Sequence, residues 1–547
     1  MINRYTLLCA MVVCFVLGVS AQNLPPVVSN VTAIADTSNK IVTVMYDVND
    51  NENDLMTIHL TISGDSGTSF VVPIENVSGD VGSSISSGTT KTIYWTYTDT
   101  IAWYLIKGSS SLNNLVARIT AVDTHAVNVS DLLSQVDSVR MYSDMLYMSK
   151  SPRQRVYGLT HLEDTRDTIV SRFEQHNLQL SYQNVPFSGD TGTNIIARYP
   201  GTTDDASTVF ITGHYDTYQK SPGADDNATA VAGMLETMRI LTNYTFDRTL
   251  KFIAFDMEED GLAGSLQYTG HGIPHYEKIK GVLDFEMIGY YSEKPNSQSA
   301  PTGFDLLFPT QYQALIDDSS RGNFITDAAD SYSTELQNLF DSCAKAYVPD
   351  LKVASLNIPG NGILVPDLNR SDHAPFWWLG YQALMLSDGA NYRNLAYHTV
   401  NDTIGALNMN FMSKVVKATL ATAAHFAKIN NSGYSVSTAF NLNIAPLSAI
   451  KSPNTENNGL LMAYPNPFTN QVTLEYVAEK KGNYILSIYS AEGKLVKRFE
   501  EKNQTPGKHQ IIWNAHEQQI DLHSGIYNAI LEGGGKKISE NIIYLED

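Results

Sequence analysis

Between Pro25 and about Asp123, apolar and polar residues alternate in short runs such as IVTVMYDV and LMTIHLTI, separated by clusters of Asn, Asp, Gly and Ser. Successive side chains of a strand point to opposite faces, so the alternation predicts half-buried strands and an immunoglobulin-like β-sandwich over residues 24–125. From about Ser138 the period changes. Continuous apolar runs such as TVFITG, LKFIAF and GVLDFEMIG then alternate with helical stretches such as TAVAGMLETMRIL as far as Asn430. That is the pattern of an α/β domain over residues 138–430, with helices covering a mostly parallel sheet. Residues 431–460 are polar and contain prolines, which predicts a linker. Residues 461–547 return to short, glycine-punctuated strands, QVTLEYV, YILSIYS, HQIIWN and GIYNAIL, and predict a small C-terminal β domain.

The first 21 residues carry a different signal: Arg4, an apolar stretch from Leu7 to Val19, and small residues up to Ala21. This is the layout of a signal peptide cleaved after Ala21. The stretch is shorter than the ~20 residues that a membrane-spanning helix needs, so the mature chain is expected to have no membrane span. Cleavage also removes Cys9 and Cys14, which leaves Cys343 without a partner and excludes an internal disulfide. With 37 Lys and Arg against 57 Asp and Glu the net charge is −20. That balance argues against nucleic acid or anionic lipid as a partner.

Candidate chemistry collects at the ends of the apolar runs. TVFITG leads into His214, Tyr215 and Asp216, where the strand period puts His214 and Asp216 on one side, a ligand with an orienting carboxylate. GADDNATAVAG presents Asp225 and Asp226 before a helix, where, taken without the neighbouring motifs, they read as caps. LKFIAFD runs into Glu258, Glu259 and Asp260, and LDFEMIGY carries Asp284 and Glu286 on one face. AYHTVNDT places His398 just ahead of an amphipathic stretch. Several inward-facing acids are costly to bury unless a cation joins them, and imidazole with carboxylate is a donor set that suits zinc.

These elements, in this order, resemble the two-zinc aminopeptidases of the bacterial leucyl aminopeptidase type, a family that also holds glutamate carboxypeptidases and glutaminyl cyclases. The motifs HYD, GADDN, EEDGLAGS, FEMIG, SDHAPFW and HTVNDT carry the resemblance over about Asn194 to Thr403. It implies two zinc ions, with His214 and Glu286 on one, Glu259 and His398 on the other, and Asp225 as the bridge. Glu258 is implied as the general base that takes the proton of the attacking water and so yields the zinc-held hydroxide, with Asp216 and Asp226 as supporting acids and a cis peptide between Asp225 and Asp226. Arg370, just before SDHAPFW, is a candidate for contact with the oxyanion or a substrate carboxylate, and equally for a solvated surface arginine. Asp372 and His373 are expected to be structural partners. The implied activity is removal of N-terminal residues from peptides. A carboxypeptidase or dipeptidase stays open because Glu286 stands where the family commonly has aspartate. A glutaminyl cyclase and a non-enzymatic surface binding protein stay open as well.

The C-terminal unit, with AYPNPFTN, YSAEGKLVK and SGIYNAILEGGGKKISENIIYLED, is similar to the type IX secretion sorting domains of Bacteroidetes. That resemblance implies the type IX machinery as a partner and a protein secreted from, or held on the surface of, a Gram-negative bacterium. Two further fragments mislead. GDSG at 64–67 and TAAH at 422–425 stand in the wrong order for a trypsin-type triad, and HEQQI at 516–520 lacks the second histidine of a zincin.

Overall fold

Seven strands near the N-terminus and an eighth from far along the chain form two four-stranded sheets around one core. The computed structural model describes residues 24–544 apart from 37, 73, 75, 98–112, 124–125, 177, 275, 434, 443–460, 465–467, 469, 491–494 and 516–524. The expected signal peptide and HEQQI therefore lie outside the described residues. One sheet orders strands Val27–Asp36, Ile41–Asn49, Gly88–Thr96 and Val77–Gly79; the other orders Val436–Asn441, Asn113–Val122, Met56–Ser63 and Gly82–Ile85. Every second residue of IVTVMYDV is buried, and Val42, Val44, Trp95 and Ile119 meet in the core.

The strand Val436–Asn441 corrects the expected linker. It pairs antiparallel with Asn113–Val122, with Val436 opposite Ile119 and Phe440 opposite Leu115. Phe440 and Leu442 are buried in the sandwich core, whereas Ser437, Ala439 and Asn441 are exposed or at the surface. A strand at a sheet edge that buries so few residues reads as a polar segment in sequence. Residues 443–460 lie outside the described residues.

The sandwich is fastened to the next layer by a buried cation. The Arg118 guanidinium donates to Thr61 Oγ1 at 3.1 Å and to Gly201 O at 2.9 Å, and it lies 3.9 Å from the Phe70 ring centroid. Phe70 N–H in turn donates to Asp205 Oδ2 at 2.8 Å, while Arg198 pairs with Asp205 Oδ1 at 2.5 Å.

The α/β layer holds an eight-stranded sheet: β1 (Gln179–Phe187), β2 (Asp190–Tyr199), β3 (Asp204–His214), β4 (Arg248–Phe255), β5 (Lys278–Glu286), β6 (Ile325–Asp330), β7 (Val353–Ile358) and β8 (Ala383–Ser387), in the spatial order β7-β6-β8-β5-β3-β4-β2-β1. The central strands β8, β5, β3 and β4 run parallel. Val209, Phe210 and Ile211 of β3 are all buried because both faces of the sheet are covered, which is why these strands read as continuous apolar runs. Helices α1 (Thr229–Leu241) and α2 (Met409–Phe426) pack into one core with β3 and β5, while Phe210, Phe376 and Trp377 belong to a second core. Among the described residues no helix is long and apolar enough to cross a membrane.

Beyond about residue 444 a second compact unit begins. It holds a three-stranded sheet of Leu461–Tyr464, Gln471–Ala478 and Gly507–Asn514 and a four-stranded sheet of Leu495–Gln504, Gly482–Ser490, Gly525–Gly533 and Lys536–Tyr544. Leu474, Leu486 and Trp513 fill the core of this unit.

Candidate metal centre

Parallel strands bring their C-terminal ends to one edge, and the candidate donors stand there. His214 ends β3, Glu286 ends β5, and Glu258 and Glu259 follow β4 directly. Open α/β sheets place their ligands at this edge for the same reason. Asp226 and His398 come from the segments before α1 and α2 and close the site from the side.

Two donor groups result. His214 Nε2 lies 3.4 Å from Asp226 Oδ1 and 3.4 Å from Glu286 Oε2. His398 Nε2 lies 3.2 Å from Asp226 Oδ2 and 3.1 Å from Glu259 Oε2. In each group one atom per residue falls within 4.8 Å of the others, and Asp226 belongs to both. Its two oxygens are therefore divided between the two histidines. Each group has the donors to hold a metal ion. His214 Nε2 and Glu259 Oε1 are buried without a hydrogen-bond partner, a costly state that coordination would relieve.

This geometry corrects the expected bridge by one residue. Asp225 Oδ1 accepts from Gly289 N–H at 3.1 Å and its Oδ2 from Asn394 Nδ2 at 2.8 Å, so both oxygens are turned into the protein. The acid expected only to support is the one that faces both histidines. The non-proline cis peptide lies between Asp226 and Asn227, not between Asp225 and Asp226.

Further residues hold the donors in place. Asp402 accepts the backbone N–H groups of Asp225 and Asp226 at 3.0 and 3.1 Å. Asp216 accepts those of Glu258 and Glu259 at 3.2 and 3.1 Å, and its Oδ1 lies 3.3 Å from His214 Nδ1. Asn227 Nδ2 donates to Glu286 Oε2 at 3.0 Å, and Ser371 Oγ donates to the same oxygen at 2.7 Å. Asp284 is fully buried one strand period deeper, where it accepts from Thr212 Oγ1 at 2.6 Å, Ser371 Oγ at 3.2 Å and His373 N–H at 3.1 Å. Asp284 thus has its own partners, and Glu286 is the member of the pair that joins the donors. Asp402 and Ser371 sit inside the motifs HTVNDT and SDHAPFW; nothing in the sequence alone singled them out from their neighbours.

Glu258 belongs to neither donor group, and its Oε2 lies 3.7 Å from His214 Nε2. Burial raises its carboxyl well above the usual range; His214 opposes the shift, and Glu259, Glu286 and Asp372 add to it. Tyr218 and Tyr397 both stack on His398, with ring centroids 4.1 and 3.7 Å away. Arg370 donates to Tyr397 Oη at 2.9 Å and to Asn391 Oδ1 at 3.1 Å, and with Tyr397 and Glu286 it lines a cavity that opens beside the donors. Asp372 is fully buried, and His373 is held between Asp284 and Leu368 O.

The chain matches the model of peptidase family M28 over residues 194–423 and that of the secretion system C-terminal sorting domain over residues 462–545. The uncharacterized protein YfbL of Escherichia coli (strain K12) is 30% identical over 270 residues, which are 47% of this chain and 79% of that one. Aminopeptidase YwaD of Bacillus subtilis (strain 168) is 37% identical over 111 residues, 20% of this chain and 24% of the other. Leupeptin-inactivating enzyme 1 of Streptomyces exfoliatus is 24% identical over 405 residues, 69% of this chain and 80% of the other. With the candidate metal donors inside the matched region, the chain belongs to peptidase family M28 and ends in a secretion-system sorting domain.

Proposed function

We propose that this chain is a secreted zinc aminopeptidase that uses two metal ions. The observation that carries the proposal is the division of the Asp226 oxygens between a group with His214 and Glu286 and a group with His398 and Glu259. Family membership and an aminopeptidase among the relatives support the same activity. Zinc held by these donors would supply Lewis-acid polarisation of the scissile carbonyl and a water of lowered pKa. Glu258, free of both groups, takes the proton of the attacking water on a carboxylate oxygen and passes it to the leaving amine. Asp216 fixes the backbone of Glu258 and Glu259 and faces the second ring nitrogen of His214, which sets its tautomer. The Tyr397 hydroxyl, to which Arg370 donates, lines the cavity and would donate to the carbonyl oxygen as charge develops there. Glu286, in the same lining, would attract an N-terminal ammonium.

The sorting domain supports export through the type IX machinery of a Gram-negative bacterium, with the mature protein secreted or held at the cell surface. The test uses purified protein and aminoacyl anilides. Hydrolysis should need a free amine, stop on chelation and return with zinc, and metal analysis should find close to two zinc ions per chain. Full activity at one tightly bound ion would remove the two-ion mechanism. Cleavage that needs a free C-terminal carboxylate instead would make the enzyme a carboxypeptidase, and cyclisation of an N-terminal glutamine would make it a cyclase.

A further inference from the structure

Residues 215–223 run from the end of β3 to the segment that carries Asp226, and one guanidinium grips this loop at both ends. Arg153, between the helices Ser138–Met148 and Leu159–Glu174, is fully buried. Its Nε donates to Tyr215 O at 2.7 Å, its Nη1 to Pro222 O at 2.9 Å and Met148 O at 2.8 Å, and its Nη2 to Gly223 O at 3.0 Å. The main chain of Arg153 pairs with the same loop: its N–H donates to Thr217 Oγ1 at 2.9 Å, and its carbonyl accepts from Thr217 N–H at 2.9 Å. A planar fork with donors on three nitrogens can span carbonyls at both ends of a loop, which a single ammonium cannot.

The loop reaches three of the donors. Tyr215 follows His214 directly. Gly223 has a φ of +59°, and a Cβ there would come within 2.3 Å of Asp226 O, so the last residue of the loop packs on the main chain of the shared acid. Between them Tyr218 stacks on His398, with ring centroids 4.1 Å apart. The two donor groups depend on the loop unequally. Glu286 is fixed by Asn227 and Ser371, and His214 ends a strand. His398 lies outside any strand or helix, and its side chain is 27% exposed. Burial lowers the Arg153 guanidinium to about 10 against the attraction of Asp402, Asp216, Asp226 and Glu259, so the group keeps its charge at neutral pH.

We infer, resting on the two-ion reading, that Arg153 is a positioning residue that fixes Asp226 against His214 and thereby sets the affinity for the ion shared by Asp226, Glu259 and His398. It acts through the loop. Without the fork, the Gly223 end is released, Asp226 shifts relative to His214, and Tyr218 no longer holds the His398 ring. The group of His214 and Glu286 keeps two donors fixed by other contacts, so its ion is the less affected of the two.

The test uses the full chain loaded with zinc or, for spectroscopy, with cobalt(II). Arg153→Met and Arg153→Lys are compared with Arg118→Met, which removes the buried arginine of the sandwich joint instead. Zinc titration against a competing chelator should show, in both Arg153 variants, one ion bound within about threefold of the wild type and the other weakened about 10–100-fold, the range for groups that orient a ligand. With zinc in excess, kcat for an aminoacyl anilide should fall at least about tenfold while KM stays within about threefold. The visible absorption of the cobalt(II) protein should change, because it follows coordination geometry. Arg118→Met should lower the thermal midpoint and leave titration and spectrum as in the wild type. Thr217→Val removes only the hydroxyl that accepts from Arg153 N–H, and should weaken the same ion about threefold or more. It decides the matter if the Arg153 variants do not fold. Wild-type zinc affinities with an unchanged cobalt spectrum in a folded Arg153→Met protein, or in Thr217→Val where that protein does not fold, overturn the inference. Full recovery in Arg153→Lys overturns it too, since charge without the fork would then suffice. A single tightly bound zinc in the wild type rejects the two-ion reading itself.

Discussion

Asp226 Oδ2 lies 3.2 Å from His398 Nε2, while its other oxygen faces His214. An acid in this position serves both donor groups, whereas its neighbour Asp225 is bonded to Gly289 and Asn394. Asp226→Asn should lose at least one zinc and lower activity more than about 100-fold, beyond the 10–100-fold typical of groups that merely support a ligand. Asp225→Asn should keep both ions and lose about 1–3 kcal/mol of stability, because an amide cannot accept from both of its donors. Metal analysis and thermal unfolding of the two variants decide between them; the reverse pattern restores Asp225 as the bridge.

Glu258 stands next to the donors without joining them, with Oε2 3.7 Å from His214 Nε2. Glu258→Gln keeps the shape but cannot move a proton. The variant should retain its zinc and lose about 10²–10⁴-fold in kcat, the range that general acid–base groups contribute. Loss of metal along with activity would make Glu258 a ligand and leave the proton transfer to another group.

Strand register made part of this site legible before any coordinates. In LDFEMIGY the period of two puts Asp284 and Glu286 on one face, and the strand's direction puts Glu286 nearer the C-terminal edge. The side chains are arranged that way. Asp225 and Asp226 offered no such guide. They are adjacent, and Asp226 and Asn227 have non-helical backbone angles ahead of the first turn of α1, so no periodicity assigns either carboxylate to the site. Asp402 and Ser371 were hidden for another reason: each acts on backbone or on a donor far away in sequence, a relationship that appears only once the chain has folded.

The division of labour between Asp284 and Glu286 can be measured. Asp284 accepts three hydrogen bonds in a fully buried position, so Asp284→Asn should cost about 1–3 kcal/mol of stability while both zinc ions remain. Glu286→Gln should weaken the ion shared with His214 by more than about 100-fold, beyond the range of groups that only support a ligand, and leave the thermal midpoint of the metal-free protein little changed. Zinc titration against a competing chelator separates the two cases, and tighter dependence on Asp284 would exchange their roles.

Acid should loosen the joint between the sandwich and the α/β layer. Burial alone would raise the Asp205 carboxyl, but the neighbouring Arg198 and Arg118 hold it below the usual carboxylate value. A depressed native pKa means that its stabilisation is present above the unfolded value, about 3.9, and is lost as pH falls through the native value. Unfolding followed between pH 7 and pH 2 should show this loss in the acid limb below about pH 4. Asp205→Asn should flatten that limb and cost about 3–5 kcal/mol at neutral pH, since it removes the carboxylate paired with the partly buried Arg198 and the charge that faces the buried Arg118. An unchanged acid limb in the variant would show that other carboxylates govern it.

The position of the strand Val436–Asn441 predicts where the chain can be cut. The candidate donors end at His398 and helix α2 at Phe426, so removal of everything after residue 430 leaves the whole candidate site in place. That cut nevertheless removes a strand paired with Asn113–Val122 along its length, together with Phe440 and Leu442 from the sandwich core. Burying each such side chain contributes about 1.5–3 kcal/mol, so the loss is roughly 3–6 kcal/mol before the exposed edge of Asn113–Val122 is counted. A chain ending near residue 444 keeps the strand and should match the full-length protein in activity and thermal midpoint. The chain ending at residue 430 should be markedly less stable and prone to associate through the uncovered edge. Equal stability of the two truncations, measured by thermal unfolding and size-exclusion chromatography, would mean that the sandwich does not depend on its last strand.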